Sequence, residues 1–167
     1  MFYLQPDDDG TSVRPVPAGM NTVTPHIVCS DAPAAIDFYK KAFNAMEMPH
    51  GRLEMDGVFL HGEIVIGDSV VMISQEDERC GSVSPQSLKG TPVGLHLYVP
   101  DVDSAFKRAI DAGAKEEMPV TDMFWGDRYG VVVDPFGHRW ALATHVRDVS
   151  PEEIVEAARE FAKQFSQ

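Results

Sequence analysis

Apolar residues in the first half of the chain recur first at strand spacing and then at helical spacing. Residues 23–29 predict a strand, and Asp31 can cap the helix that follows, because apolar residues there lie on one helical stripe. Three further strands are predicted at 45–55, 58–66 and 69–75, separated by turn residues. The order is therefore one strand, one helix and three strands.

The second half repeats this order. Residues 93–99 predict a strand, Asp101 can cap an amphipathic helix, and strands are predicted at 115–120, 125–133 and 138–145. A unit of this size cannot bury both faces of its sheet alone, so we expect the two units to pair. Matching residues stand at one offset of 70 positions: His26 with His96, Asp31 with Asp101, Ile36 with Phe106, and Gly67 with Gly137.

These patterns divide the chain into five segments. The segment between the repeats could span roughly 55 Å when extended, which allows the units to pair within one chain or to exchange between chains. The capping sequence Ser-Pro-Glu-Glu predicts a last, amphipathic helix that covers the sheet or makes a dimer contact. The predicted segments are an N-terminal tail at 1–20, a first βαβββ module at 21–75, a linker at 76–92, a second βαβββ module at 93–146 and a C-terminal helix at 150–166.

Composition narrows the possible partners. The 14 Lys and Arg against 26 Asp and Glu give a formal net charge of −12, which repels nucleic acids and anionic membrane surfaces. No secretory signal and no apolar run of about 20 residues is present, so we expect a cytoplasmic protein that does not enter a membrane. Cys29 and Cys80 lack the spacing of a disulfide or metal motif, and we expect Cys29 to be buried and inert.

Alternation along the strands predicts which side chains share a sheet face, because residues two apart point the same way. One face collects polar, aromatic and small residues, including Ala141 and Ala143, which is typical of a ligand cleft. The opposite face, with Leu60, Ile64 and Ile66, is predicted to lie under the helices. The predicted ligand-binding residues are His26, His61, Glu63, His96, Tyr98, Trp125, Asp127, Tyr129 and His145.

Each of these residues also has a structural interpretation. The histidines of the repeat could be core residues bonded to their neighbours, and Trp125 and Tyr129 could serve packing alone. Asp127 and Arg128 could orient a ligand or form a surface ion pair at the end of a hairpin. His145 could lie in the cleft or at the surface, and we expect His50 and His138 to be solvated in turns.

The segments that carry this repeat resemble a known family over residues 21–150. They read TPHIV, AIDFYKKAF, LHGEIVIGDSVVMIS, GLHLYVPDVDSAF and FWGDRYGVVVDPFGHRWALATH. The chain is similar to the vicinal oxygen chelate superfamily, which contains glyoxalase I, extradiol dioxygenases and bleomycin-resistance proteins, and more narrowly to its glyoxalase-like, PhnB-type branch. The resemblance implies an α+β fold in which two modules pair into a curved, cup-shaped, mostly antiparallel sheet with the helices outside. It also implies a homodimer.

The resemblance also predicts where a divalent metal would lie. Thr24, Val71, Gly94 and Ala141 occupy the ligand positions of glyoxalase I-type members, and none of them offers an acid, imidazole or thiolate. We therefore expect no metal and no other cofactor. In an alternative, His26, His61, Glu63 and His96 form a displaced site for one Zn, Ni, Mn or Fe ion.

The sequence therefore favours one function over two others. The first is a glyoxalase-like or bleomycin-resistance-like protein that binds a small organic molecule between its modules without the usual metal ligands. The alternative is a metal-dependent lyase, isomerase or dioxygenase with the displaced His/Glu site, in which Glu63 moves a proton. The third is a structural or regulatory dimer with a vestigial cleft.

Overall fold

The computed structural model describes residues 13–164, so residues 1–12 of the predicted tail and the last two positions of the predicted C-terminal helix lie outside it. The first half follows the predicted order of strand, helix and strands. Its strands 58–66 and 69–75 are confirmed to the residue. The elements are β1 (His26–Cys29), α1 (Ala32–Phe43), β2 (Met46–Glu47), β3 (Leu53–Met55), β4 (Val58–Ile66) and β5 (Ser69–Gln75).

The second half repeats the architecture after a segment that is folded rather than extended. The segment predicted as a linker contains a 3₁₀ turn and a one-turn helix. A 3₁₀ turn spans Glu78–Cys80, and the later elements are α2 (Pro85–Leu88), β6 (Gly94–Tyr98), α3 (Val102–Asp111), β7 (Lys115–Asp122), β8 (Asp127–Val133), β9 (Arg139–His145) and α4 (Pro151–Gln164).

The predicted strands of the second half differ from the structure by at most two residues at either end, and two strands of the first half differ more. The first begins at His26 rather than at 23, because Thr24 Oγ1 instead donates to the Asn21 carbonyl in a local turn. The predicted strand at 45–55 is two short strands, interrupted by a turn in which His50 has a φ of 65°. Strand pairing is therefore interrupted around Pro49, because proline has no amide hydrogen to donate to a neighbouring strand.

Each half forms its own sheet. The strand order is β1-β5-β4-β2 in the first, where β3 also pairs with β4, and β6-β9-β8-β7 in the second. Only the β1–β5 and β6–β9 pairs are parallel, and the other pairs are antiparallel. The structure confirms the α+β class and the duplicated, mostly antiparallel βαβββ topology.

The caps of the two main helices repeat as well. Asp31 accepts a 3.0 Å hydrogen bond from the Ala34 amide, and Asp101 accepts the equivalent bond from the Ser104 amide at the same distance. Each aspartate satisfies an amide that the first helical turn leaves unpaired. The capping box of α4 also forms, because Ser150 and Glu153 each bond the other's amide at 3.0 and 3.2 Å.

A single apolar core joins the two halves. Helices α1 and α3 pack against each other, with α1 also on β4 and α3 on β8. Tyr39 and Phe43 of α1 contact Trp140 of β9, at ring-centroid distances of 5.4 and 4.7 Å. The aromatic rings therefore bury the seam between the modules, which confirms that the two units pair.

One prediction about the faces of β4 is wrong. Leu60 is 41% exposed, whereas Phe59, one position earlier, is buried beside Gly62 and packs towards Ile36. The register of β3 on β4 shifts between Leu53 and Glu54, and such an irregularity changes which side chains point inwards. Ile64 and Ile66 lie in the core as predicted.

The turn that follows β8 carries a buried carboxylate. Asp134 Oδ1 accepts from the amides of Phe136 and His138, both at 2.9 Å. Its Oδ2 accepts from the Tyr39 hydroxyl at 2.7 Å and from Trp140 Nε1 at 3.0 Å. Four donors compensate for removing this charge from water, and one of them comes from the other module.

The prediction that His138 is solvated is wrong. Its side chain is buried against the first module, with Nε2 3.1 Å from the Val28 carbonyl oxygen and 3.6 Å from Cys29 Sγ. Burial lowers the pKa of His138, while the nearby Asp134 carboxylate acts in the opposite direction. Cys29 is buried as predicted, and burial together with the Asp134 charge raises the pKa of its thiol to about 12.

Helix α4 lies beside the loop that precedes β8. The ring of Phe161 lies 5.4 Å from that of Phe124, which in turn contacts Trp125 at 5.0 Å. In the part of the chain that the structure describes, no helix combines the length and apolar character needed to cross a bilayer. Helix α4 contacts the second module through Phe161 and Phe124.

Candidate functional site

The nine predicted ligand-binding residues fall into two clusters, one on each sheet. No hydrogen bond or ring contact within the described segment 13–164 joins the two clusters. The His26 cluster contains His26, His61 and Glu63, and the Asp127 cluster contains His96, Tyr98, Trp125, Asp127, Tyr129 and His145.

The His26 cluster forms because β1 contributes His26 and β4 contributes His61 and Glu63 to the same face, with Met72 of β5 between the two strands. His26 pairs with Met72 across β1 and β5, and Met72 pairs with Glu63 across β5 and β4. The rings of His26 and His61 meet edge to face with centroids 5.8 Å apart, and His61 Nε2 lies 3.3 Å from Glu63 Oε1. Desolvation, followed by the charge of His61, lowers the pKa of His26, so this imidazole is neutral near neutral pH.

The residues at the metal positions of glyoxalase I-type proteins do not fit a divalent ion. Val71 is buried in the core on the helix side, and Met72 takes its place on the open face, because the β1–β5 register sets His26 beside Met72. In the second half His96 pairs with Ala141, so Met72 rather than Val71 is the strand counterpart of Ala141, and the thioether of Met72 is a poor ligand for hard divalent ions.

The displaced metal site is not assembled by one chain either. The side chains proposed for it are divided between the clusters, since His96 lies on the second sheet. Among residues 13–164, no three His, Cys, Asp or Glu side chains are placed to hold one ion together. We therefore derive no chemical step through a metal.

Asp127 is the centre of the second cluster. Its side chain is only 3% exposed, and its Oδ1 accepts a 2.7 Å hydrogen bond from His145 Nδ1. Its Oδ2 accepts from the Tyr98 hydroxyl and from Trp125 Nε1, both at 3.1 Å. One carboxylate thus fixes three side chains that come from β6, from β9 and from the loop before β8.

The pKa values in this cluster follow from the same contacts. Burial acts to raise the pKa of Asp127, but the bonds from His145, Tyr98 and Trp125 outweigh it and lower the pKa below its usual range. His145 bonds Asp127 and, through Nε2 at 3.1 Å, Asp148, and both bonds raise its pKa. The hydrogen bond to Asp127 likewise raises the pKa of Tyr98.

Aromatic rings line the open side of the Asp127 cluster. His96 lies between Tyr98 and Tyr129, at centroid distances of 4.6 and 5.8 Å, and Trp125 meets Tyr129 edge to face at 5.6 Å. Tyr98 is 61% exposed, so its ring is available to a ligand. The strand neighbours of His96 and Tyr98 on β9 are Ala141 and Ala143, whose small side chains leave room above the sheet.

Arg128 does not belong to this cluster. Its guanidinium bonds both carboxylate oxygens of Asp103, at 2.6 and 2.7 Å, and that of Asp122 at 3.0 Å. The predicted ion pair between Asp127 and Arg128 is therefore wrong, and Arg128 instead pairs with Asp103 and Asp122. Sequence reasoning missed Asp148 because it lies in the irregular segment after β9, where strand parity gives no information.

The edges of the two sheets come together beside the clusters. A cavity of about 200 Å³ is lined by both His26 of β1 and Leu95 of β6. A second cavity of about 220 Å³ is lined by His96, Val71 and Trp140. Each cluster therefore has a histidine next to a small cavity at the seam between the halves.

Comparison with known proteins identifies the family. A model of the Glyoxalase/Bleomycin resistance protein/Dioxygenase superfamily matches residues 19–142. An uncharacterized protein of Mycobacterium bovis is 48% identical over 139 residues, which cover 81% of this chain and 90% of the relative.

Solved structures share the fold. The crystal structure of TioX from Micromonospora sp. ML1 has a TM-score of 0.57 and 26% identity, covering 74% of this chain and 98% of that chain. The X-ray structure of an Arabidopsis thaliana gene product has a TM-score of 0.59 and 27% identity, with 74% and 98% coverage. The chain therefore belongs to the glyoxalase/bleomycin resistance protein/dioxygenase superfamily.

Proposed function

We propose that the protein binds a small, partly aromatic organic molecule on the Asp127 cluster, without a metal, as a member of the PhnB-type branch of its superfamily. The observation that carries this proposal is the anchoring of Tyr98, Trp125 and His145 by one buried carboxylate. Side chains already fixed in place lose little entropy on binding, which favours affinity. The network therefore supports a preorganised recognition surface.

The chemistry of the ligand follows from which groups remain available. The Asp127 oxygens already accept three hydrogen bonds, so the carboxylate serves mainly to hold its neighbours. The faces of Tyr98, Tyr129 and His96 offer stacking surfaces. The Tyr129 hydroxyl and the His96 ring nitrogens have no hydrogen-bond partner among residues 13–164 and can bond polar groups of the ligand.

A second copy of the chain would complete the site. Ligand sites usually bury about 70–90% of a bound molecule, and an open face with Tyr98 at 61% exposure cannot do so alone. Four apolar side chains on β3 and β4 are also unusually exposed for a monomer. We propose that a homodimer covers them and sets the His26 cluster of one copy opposite the Asp127 cluster of the other. These side chains are Leu53, Met55, Val58 and Leu60, at 53%, 59%, 54% and 41% exposure.

Two free thiols favour a reducing compartment. Cys29 is buried and Cys80 is exposed, and neither forms a disulfide. An exposed free thiol is rare in oxidising environments, so we also propose a cytoplasmic location.

Matched ligands and variants test the binding proposal. We expect 2-naphthol to quench tryptophan fluorescence saturably and to raise the melting temperature, whereas its saturated counterpart 2-decalol binds at least about tenfold more weakly because stacking is lost. Asp127→Asn should weaken 2-naphthol binding, since a neutral amide holds His145 less tightly. Arg128→Gln on the opposite face is the control and should leave binding unchanged. Equal affinity for both compounds, or for both variants, would refute the proposal.

A metal-dependent enzyme is the competing function, and elemental analysis separates the two. Protein purified without chelators or an affinity tag should contain no stoichiometric transition metal. A near-equimolar metal that disappears in His26→Ala or His96→Ala would instead support the displaced site, assembled between copies. Sedimentation equilibrium on the same samples measures the proposed dimer.

A further inference from the structure

A second open groove lies on the helix side of the sheets, and Tyr98 of the Asp127 cluster is among the residues at its edge. It has a volume of about 580 Å³ and runs between the end of α1, the β4–β5 turn, the end of β6 and α3. Its lining is mostly apolar, with one guanidinium among the side chains. We name it the Arg108 groove, and its principal residues are Phe43, Met46, Val65, Leu97, Ser104 and Arg108.

Arg108 lacks the partners that other arginines of the chain have. Its Nε is buried and makes no hydrogen bond, and no carboxylate among residues 13–164 lies within ion-pair distance. By contrast, Arg128 and Arg139 each bond a carboxylate at 2.6 Å. A buried donor without an acceptor is destabilising, so an anionic group that accepts a hydrogen bond from this guanidinium would remove that cost.

The duplicated fold supplies an internal comparison. Phe38 of α1 stands 70 positions before Arg108, where the first half has an apolar ring instead of a cation. The five-residue loop from Asp134 to His138 fills the groove beside Phe38, with the ring of Phe136 6.3 Å from that of Phe38. Gln86 of α2 closes the same region by donating to the Pro135 carbonyl at 2.6 Å.

Within residues 13–164, no equivalent segment closes the groove beside α3. The hairpin between β4 and β5 is a two-residue turn, Gly67 and Asp68, because Ile66 pairs directly with Ser69. A turn this short cannot reach into the groove as the loop of the second half does. One groove of the pair is therefore filled by the chain itself, and the other is open and contains an unpaired cation.

We propose that the Arg108 groove binds a monoanionic organic carboxylate with an apolar body. A guanidinium matches a carboxylate in a two-pronged contact, and the apolar lining suits a hydrocarbon portion. Asp101 also lines the groove, but it caps α3 through Ser104, at 3.0 and 2.6 Å, and lies beyond ion-pair distance of Arg108. The net charge of −12 repels polyanions, so a single negative charge with a large apolar body is favoured.

Calorimetric titration of the full chain with sodium decanoate tests this proposal. We expect one decanoate per chain, with affinity reduced at least about tenfold in Arg108→Gln, the loss expected for one charged hydrogen-bonded contact. Lys107→Gln removes the same charge from the same helix, where Lys107 pairs with Asp111 at 2.6 Å, and should bind decanoate normally. Arg108→Phe copies the residue of the filled groove and should abolish binding while remaining folded.

Three results would overturn the proposal. Decylamine binding as tightly as decanoate would show that only the apolar lining matters. Inorganic phosphate displacing decanoate would show a general anion site. A change of sedimentation mass in Arg108→Gln with unchanged decanoate affinity would show that a second copy covers the groove. Because Tyr98 borders both places, 2-naphthol is also titrated into Arg108→Gln, and an unchanged 2-naphthol affinity there keeps this result separate from binding at the Asp127 cluster.

Discussion

The Tyr39 hydroxyl and the Asp134 carboxylate, 95 positions apart, form a buried 2.7 Å hydrogen bond between the two halves of the chain. Tyr39 lies on the first helix, and Asp134 begins the turn between the last two strands. Because this bond crosses the seam, it contributes to the docking of one module on the other as well as to the stability of each. Burial and the adjacent Asp134 charge raise the pKa of Tyr39 well above its ordinary value, so the phenol remains a donor.

Removing the Tyr39 hydroxyl and removing the Asp134 carboxylate should both destabilise the fold, and the loss of Asp134 should have the larger effect. Tyr39→Phe leaves Asp134 with three donors and should lower the free energy of unfolding by about 1–2 kcal/mol. Asp134→Ala leaves several buried donors without an acceptor and should lower the free energy of unfolding by about 3 kcal/mol or more. Urea denaturation measures both, and Ser30→Ala, which removes an exposed hydrogen bond to Gln86, should change stability by less than about 0.5 kcal/mol. Equal effects of all three variants would contradict this assignment.

The Asp127–His145 pair should make stability depend on pH. The raised pKa of His145 means that its contribution is complete below about pH 6.5 and is lost as pH rises through its folded value. The lowered pKa of Asp127 means that its contribution is present above about pH 4 and is lost as pH falls through its folded value. Denaturant titrations should therefore show the pair's full stabilisation between those limits. His145→Gln should lose the dependence above about pH 6.5 and keep part of the dependence at acid pH, because Tyr98 and Trp125 still bond Asp127.

The titration of His145 itself is a separate prediction. Asp127→Asn should lower the pKa of His145, followed by the NMR shift of its ring protons, because the larger of the two raising contacts loses its charge. Asp103→Asn, which alters the ion pair of Arg128 on the other face, should leave that titration unchanged. A pKa of His145 at its ordinary value in the unmodified protein would rule out the bond.

Two glycines with positive φ should respond differently to alanine. Gly126 has a φ of 99°, and a Cβ there would collide with the Arg147 carbonyl oxygen, so Gly126→Ala should destabilise by about 3 kcal/mol or more. Gly113 has a φ of 114°, but its nearest neighbour would be Pro135 at 3.8 Å, so Gly113→Ala should cost only about 1 kcal/mol. Thermal denaturation of both variants tests this difference, and a larger loss in Gly113→Ala would contradict it.

The two thiols should differ in reactivity. Cys80 is exposed and should react with a thiol reagent in the folded protein. Cys29 is fully buried with its pKa raised to about 12, so it should react only on unfolding. Counting labelled thiols before and after urea addition measures this, and two fast-reacting thiols in the folded state would refute it.

Periodicity predicted most of the fold because local pattern and tertiary packing agree there. Strands β4 and β5 and the starts of α1 and α3 at Ala32 and Val102 follow directly from apolar spacing and a capping aspartate. Strand parity also brought Trp125, Asp127 and Tyr129 to one face, where the structure groups them with Tyr98 and His145.

The errors lie where long-range contacts decide. His138 stands in a turn, and only the packing of the first module against that turn buries it. Asp134 begins the sequence Asp-Pro-Phe-Gly, which is typical of a turn, but no local pattern shows that Tyr39 and Trp140 also reach it. The 70-residue offset matches Val71 with Ala141, whereas strand pairing matches Met72 with Ala141, since His26 pairs with Met72 and His96 pairs with Ala141.

The two equivalent hairpins differ in length, with five residues at 134–138 and two at 67–68, and one groove is filled while the other is open. Surface hairpins accept insertions and deletions more readily than packed strands do. Lengthening the Gly67–Asp68 turn by a few residues could plug the vacant side, and trimming the opposite loop could expose its twin, with the shared core left intact. In this architecture, one small change in the length of a hairpin is therefore enough to open or to fill the groove beside a helix.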